Sequence, residues 1–132
     1  MRWVCLRFKV FYHLASYCPK NDIVFERWRT GNAGDDFVDA NMRELLLTRW
    51  MSNRGRQNVA SYLMKDLRVC WIYGAAWFET QLIDYDVCSN YVNWMYIAGV
   101  GNDPRENRCF NTQKQAETYD PYREYRNIWL KN

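Results

Sequence analysis

Asn53-Arg54-Gly55-Arg56-Gln57-Asn58-Val59-Ala60-Ser61-Tyr62-Leu63-Met64-Lys65-Asp66-Leu67-Arg68-Val69-Cys70-Trp71 reads as a helix buried on one side. Ala60, Leu63, Met64, Leu67 and Trp71 recur at helical spacing. Ser52 or Asn53 suits its N-cap. Arg54, Gln57 and Ser61 fall on another face. The stretch is also chemically odd, because two arginines stand at its start. Downstream, Asp84-Tyr85-Asp86 sets two carboxylates close together, and Asn90, Asn93 and Trp94 follow. Arg56 and Asp84 are expected as a buried pair, and a buried Arg with a buried Asp needs a reason, since either one left unpaired costs about 3–5 kcal/mol. A polar ligand held between helices would account for such a pair.

Working outward, a short turn at Tyr73-Gly74 is expected to lead into a helix over Ala75–Ile83. Asp84 or Asp86 then caps a helix carrying Asn90, Asn93 and Trp94. Ala98-Gly99-Val100-Gly101-Asn102-Asp103-Pro104 reads as a loop whose glycines allow close backbone approach. A last helix pair covers Thr112–Thr118 and, after Asp120-Pro121, Tyr122–Leu130. Toward the amino terminus, Phe37–Trp50 is a helix with Val38, Met42, Leu45 and Leu46 on one face. Thr30-Gly31-Asn32-Ala33-Gly34-Asp35 is a loop by composition. Asn21 or Asp22 caps a short helix through Ile23, Phe25, Glu26 and Trp28. Residues 2–15 read as a helix that Pro19 stops. The expected class is all-α, a helical bundle of one domain over 1–132, with no strand.

Composition narrows the function classes. Aromatic residues make up 17% of the chain, with seven Trp and ten Tyr. That suits flat ligands, stacking or electron transfer as well as core packing. A net charge of +3 permits a nucleic-acid partner without requiring one. The cysteines Cys5, Cys18, Cys70, Cys88 and Cys109 are widely spaced, odd in number and without a CxxC pair. This argues against a disulfide framework or a zinc site and makes a reducing compartment the natural home. No apolar run is long enough to span a bilayer.

Four motifs in order carry a resemblance. Val38-Asp39-Ala40-Asn41-Met42-Arg43-Glu44-Leu45, Met51-Ser52-Asn53-Arg54-Gly55-Arg56-Gln57, Leu82-Ile83-Asp84-Tyr85-Asp86 and Ala98-Gly99-Val100-Gly101-Asn102-Asp103 together resemble the photolyase/cryptochrome family. Gln57 after Asn-Arg-Gly-Arg, and Tyr96 after Asn-Trp-Met, resemble its DASH-type cryptochromes. The resemblance covers nearly all of the chain from Phe25 onward, and only a minor part of the family's length. The family's amino-terminal α/β antenna domain, and the segment that holds the FAD phosphates, have no counterpart here.

What the resemblance implies is specific. The fold would be part of the helical FAD-binding domain, and the activity a blue-light-driven repair of cyclobutane pyrimidine dimers, preferably in single-stranded DNA. Reduced FAD would supply the electron. Arg56 would pair with Asp84 beside the isoalloxazine ring. Asp84, Tyr85 and Asp86 would line the flavin and its ribityl chain. Asn90 would sit next to flavin N5, and Asn53 between flavin and lesion. Trp94 and Trp71 would be the inner and middle members of an electron-hopping chain. Trp3, Arg54, Gln57 and Tyr96 would face DNA. FAD binding by this chain alone would be weak or absent, and an antenna pigment is not expected on it. Trp77 is read as core, His13 has no assigned role, and Arg105, Arg108 and Lys114 read as a solvated face.

The chain also departs from the family. Val4 and Cys5 replace an Arg and an acid after Trp3. Gly34-Asp35-Asp36 replaces Gly-Tyr-Pro, Ile72 an Arg, and Val92 a Gly. The outer tryptophan of the electron chain falls at Cys18. Tyr73 is near in sequence, but oxidising a phenol needs a proton acceptor, and none is evident there. The alternative reading is a helical structural or interaction domain that keeps the fold without flavin chemistry.

Overall fold

A computed structural model describes residues 21–99 and 110–131. The expectations for Trp3, Val4, Cys5, His13, Cys18, Arg105, Arg108 and the helix over 2–15 lie outside the described residues. Among the described residues the structure is all helical: α1 (Asp22–Arg29), α2 (Asp36–Thr48), α3 (Asn53–Ser61), α4 (Trp71–Gln81), α5 (Val87–Ala98), α6 (Thr112–Tyr119) and α7 (Glu124–Leu130).

Local chemistry starts most of these helices. The side chains of Asn21, Ser52, Asp86 and Asn111 each accept a backbone N–H from the first turn that follows, filling donors no helix can satisfy internally. Asp35 caps α2 from the position where the family's motif has Tyr. Its Oδ1 accepts from the amides of Phe37 and Val38, and its Oδ2 accepts from the Thr112 hydroxyl at 2.6 Å. Asp36 pairs with Arg123. The two departures in that motif thus serve as a cap and as a tie to the carboxyl-terminal helices. α2 ends at Thr48, earlier than expected, because Arg49 turns left-handed at φ 61°.

The stretch that opened the reading folds differently from its pattern. α3 ends at Ser61, and a π-helical turn follows over Tyr62–Asp66. Leu67–Cys70 then leave the helix, and Trp71 opens α4 instead of closing α3. A π turn widens the ring closed by each hydrogen bond and shifts the helix face. The Leu67 amide accordingly reaches the Tyr62 carbonyl, and the Val69 amide the Leu63 carbonyl. The expected turn at Tyr73-Gly74 lies inside α4. Gly74 serves packing: a Cβ there would lie 2.2 Å from the Trp94 ring and 2.8 Å from Leu63.

The core gathers Trp28 from α1, Val38, Met42 and Leu45 from α2, Val59 from α3, Leu63, Phe78 from α4 and Trp94 from α5. α4 and α5 pack on each other, and α2 packs on α7. Arg43 fastens that last contact, donating to the carbonyl oxygens of Gly31 and Leu130. Cys88 is free and exposed, whereas Cys70 is held in a disulfide. The argument against a disulfide framework did not foresee that bond, since spacing along the chain does not limit which sulfurs the fold brings together. No helix among the described residues is long and apolar enough to cross a membrane.

Candidate functional site

α3, α4 and α5 line a shallow cleft. Asn53, Arg56, Gln57 and Ala60 line it from α3, with Phe78 from α4. Leu82, Asp84, Tyr85 and Asp86 come from the link, and Ser89, Asn90, Asn93, Trp94 and Ile97 from α5. Positions 90, 93, 94 and 97 share one helix face, which is why α5 contributes so many side chains.

At the mouth, Arg56 Nη2 donates to both carboxylate oxygens of Asp84, at 2.9 and 2.7 Å. Arg56 Nε donates to the Met51 carbonyl at 2.9 Å, which fixes the guanidinium. The pair is not buried as expected: the side chains are 26% and 46% exposed. Asp84 sits three residues past the end of α4, in the link to α5, where the chain runs at the surface. So exposed a pair needs no ligand to offset its desolvation, and its place at the cleft is what marks it. Asp86 also lines the cleft, but Oδ1 caps α5 through the Ser89 amide at 2.7 Å. That hydrogen bond holds its carboxyl below the ordinary aspartate range.

Deeper in, Asn90 is buried and donates from Nδ2 to the Ala75 carbonyl at 3.0 Å. That bond uses one of the two N–H donors of the amide and orients Oδ1 as an acceptor. Trp94 is 2% exposed, edge-on to Phe78 at 5.1 Å and to Trp28 at 6.3 Å between ring centroids. Trp28 is anchored in turn by its indole N–H on the Val59 carbonyl at 3.1 Å.

The residues singled out from sequence divide into groups. Asn53, Arg56, Asp84, Tyr85, Asp86, Asn90 and Trp94 all line the cleft, and so does Gln57. Arg54 and Tyr96 are exposed and do not line it. Arg54 lies over the Tyr119 ring at 5.3 Å and donates to Gln57 Oε1. Trp71 is outside the lining, edge-on to Tyr91. Trp77 is partly buried against the core, as expected, and the Arg29 guanidinium covers its ring at 4.8 Å. Ala60, Phe78, Leu82, Ser89, Asn93 and Ile97 also line the cleft and were not among the expected site residues, although helical spacing from Asn90 points to Asn93 and Ile97.

Residues 8–132 match the family model described as the FAD binding domain of DNA photolyase. The chain belongs to the photolyase/cryptochrome family. It is 61% identical over 107 residues to a Cryptochrome DASH of Xenopus laevis, covering 81% of this chain and 20% of that protein. It is 58% identical over 118 residues to a chloroplastic/mitochondrial Cryptochrome DASH of Oryza sativa subsp. japonica, covering 89% and 20%. A crystal structure of a Synechocystis cryptochrome superposes with a TM-score of 0.83 at 57% identity, covering 86% of this chain and 23% of that one. An archaeal photolyase from Sulfolobus tokodaii, solved with two FAD molecules, gives 0.82 at 39% identity, covering 86% and 26%. The chain thus spans about a fifth of the curated relatives it matches. Photolyase/cryptochrome membership accounts for the all-helical fold and makes FAD the cofactor of the matched domain.

Proposed function

We propose that the chain forms the ring-side wall of an FAD site in a DASH-type photolyase/cryptochrome. The activity is blue-light-driven repair of cyclobutane pyrimidine dimers, preferably in single-stranded DNA, with the electron coming from reduced FAD. The observation that carries this reading is the convergence of Asn53, the Arg56–Asp84 pair, Asn90 and Trp94 on one cleft.

The lining suits a flat heteroaromatic ring with a polar edge. Trp94 and Phe78 supply apolar surface. Asn90 Oδ1 accepts from a ring N–H and carries no proton to give back. The Arg56–Asp84 pair sets a fixed charge separation beside the ring. The isoalloxazine, when bound, supplies the one-electron chemistry, and these residues tune and orient it. Among the described residues lining the cleft, Arg56 is the sole cation, and Asp84 already engages it. A diphosphate would find no free cation there, although charge-assisted bonds to phosphate are among the strong ones. FAD binding by this chain is therefore weak. Arg54 and Tyr96, exposed on neighbouring helices, offer a phosphate contact and a stacking face to DNA.

The test is a titration of the purified chain with FAD and, separately, riboflavin, followed by flavin fluorescence. Similar, weak affinities for both are expected. Asp84→Asn should weaken each about tenfold, equivalent to ~1.4 kcal/mol. Much tighter binding of FAD would overturn the phosphate argument. Binding of neither would overturn the flavin reading and leave the structural-domain alternative.

A further inference from the structure

We propose that Tyr91 is the terminal electron donor of the tryptophan chain, and that the Glu79 carboxylate takes its phenolic proton. The idea rests on the photochemical reading above and deepens it. α4 carries Trp71 and Glu79, and α5 carries Tyr91 and Trp94. Tyr91 lies one turn before Trp94, on the same side of the helix. Its ring meets Trp71 edge-on, with centroids 6.4 Å apart and an interplanar angle of 77°. Its hydroxyl donates to Glu79 Oε2 at 3.1 Å.

This arrangement supplies what the sequence lacked, a phenol next to an indole with a base in contact. Burial first, and then the hydrogen bond to Glu79, push the Tyr91 phenol up to about 12. It is protonated at neutral pH, so its oxidation must release a proton. Glu79 is exposed and Tyr91 half-buried, so the pair can exchange with reductant and water. Tyr73 lies instead against the Phe25 ring.

The step balances. An indole radical cation at Trp71 takes one electron from Tyr91 while the phenolic proton passes to Glu79 Oε2. The products are a neutral indole, a neutral phenoxyl radical and a carboxylic acid. An added thiol then returns a hydrogen atom to the phenoxyl, becoming a thiyl radical, and Glu79 loses its proton to water.

The test needs no flavin. The full chain is oxidised by a photoexcited ruthenium tris-bipyridine complex with persulfate, and the tryptophan radical is followed by transient absorption. Tyr91→Phe and Glu79→Gln should each lengthen its lifetime, on the order of 100-fold, the scale of a lost positioned base. Tyr122→Phe, at a site 84% exposed, should not. Should either of the first two variants fail to fold, the parent decides alone, since its transfer should slow in deuterated water. An unchanged lifetime in Tyr91→Phe, or no isotope effect in the parent, overturns the proposal. A second arm repeats the measurement with FAD and blue light. If FAD does not bind, the flavin reading fails, while the ruthenium arm still judges Tyr91.

Discussion

Two arginine–aspartate pairs in this chain use the same side chains for different ends. Asp120 is 5% exposed and Arg126 13%, measured on the side chains. Asp120 accepts from the backbone amides of Tyr125 and Arg126 and from Arg126 Nε, and Arg126 Nη2 closes back on the Asp120 carbonyl. Arg56 and Asp84 are more exposed, and among the described residues Arg56 alone donates to the Asp84 carboxylate. The first pair is largely buried and tied by several hydrogen bonds, so it holds α7 in place. The second stands at a cleft with acceptor capacity in reserve, as a ligand site requires. An ion pair is informative about function only together with its burial and its remaining hydrogen-bonding capacity.

The largest effect that sharpens this contrast is expected at Asp120. Asp120→Ala should destabilise the chain by about 3 kcal/mol, because it strips the largely buried Arg126 of its carboxylate and leaves it only the backbone carbonyl at position 120. Urea unfolding measures it. Burial opposes the charge on Asp120, but hydrogen bonds from Arg126 and Tyr125 outweigh it and hold its carboxyl below the usual aspartate range. Its folded pKa therefore lies below the unfolded value of about 3.9. The stabilisation is present above that value and is lost as pH falls through the folded pKa. Asp120→Asn should flatten the acid limb of the stability curve, and an unaltered limb would contradict the assignment.

A smaller loss is expected under the cleft. The contrast implies that packing, not the ion pair, shapes the site. Gly74→Ala should cost about 1–3 kcal/mol by overpacking against Trp94 and should alter the near-ultraviolet dichroism of the indoles. If the indole signals are untouched, Gly74 does not position Trp94. The smallest stability change belongs to Arg56→Ala, about 0–1 kcal/mol for a pair so exposed. Were it as damaging as Asp120→Ala, the two pairs would not differ in kind and the contrast would collapse.

Much of the site was legible because it is built from short-range features. Asn90, Asn93, Trp94 and Ile97 share a face by helical geometry alone, and Asp86 capping α5 acts over three residues. The Asn53-to-Gln57 and Asp84-to-Asp86 motifs indicated the family, whose FAD binding domain model covers residues 8–132. The π turn after Ser61 was not legible, because Ala60, Leu63, Met64, Leu67 and Trp71 keep a helical spacing straight through the break. Gly74 was read as a turn because glycine in isolation signals freedom, while here it signals a neighbour too close for a Cβ.

The sequence by itself determined the all-helical class and most of the caps, and the resemblance of its motifs named the residues expected beside a flavin. The class and the caps follow from interactions within a few residues, which the order of side chains specifies directly. The tertiary structure alone decided which groups meet at long range. Asp35 reaches Thr112 across 77 positions, and Tyr125 reaches Glu44 across 81. It also decided that Arg56–Asp84 is half-open and Arg126–Asp120 closed, and that Tyr91 stands between Trp71 and Glu79. The physical reason is that burial, and the strength and availability of a charge or a phenol that follow from it, depend on how helices pack. Packing is a property of faces brought together in space, which no local pattern encodes.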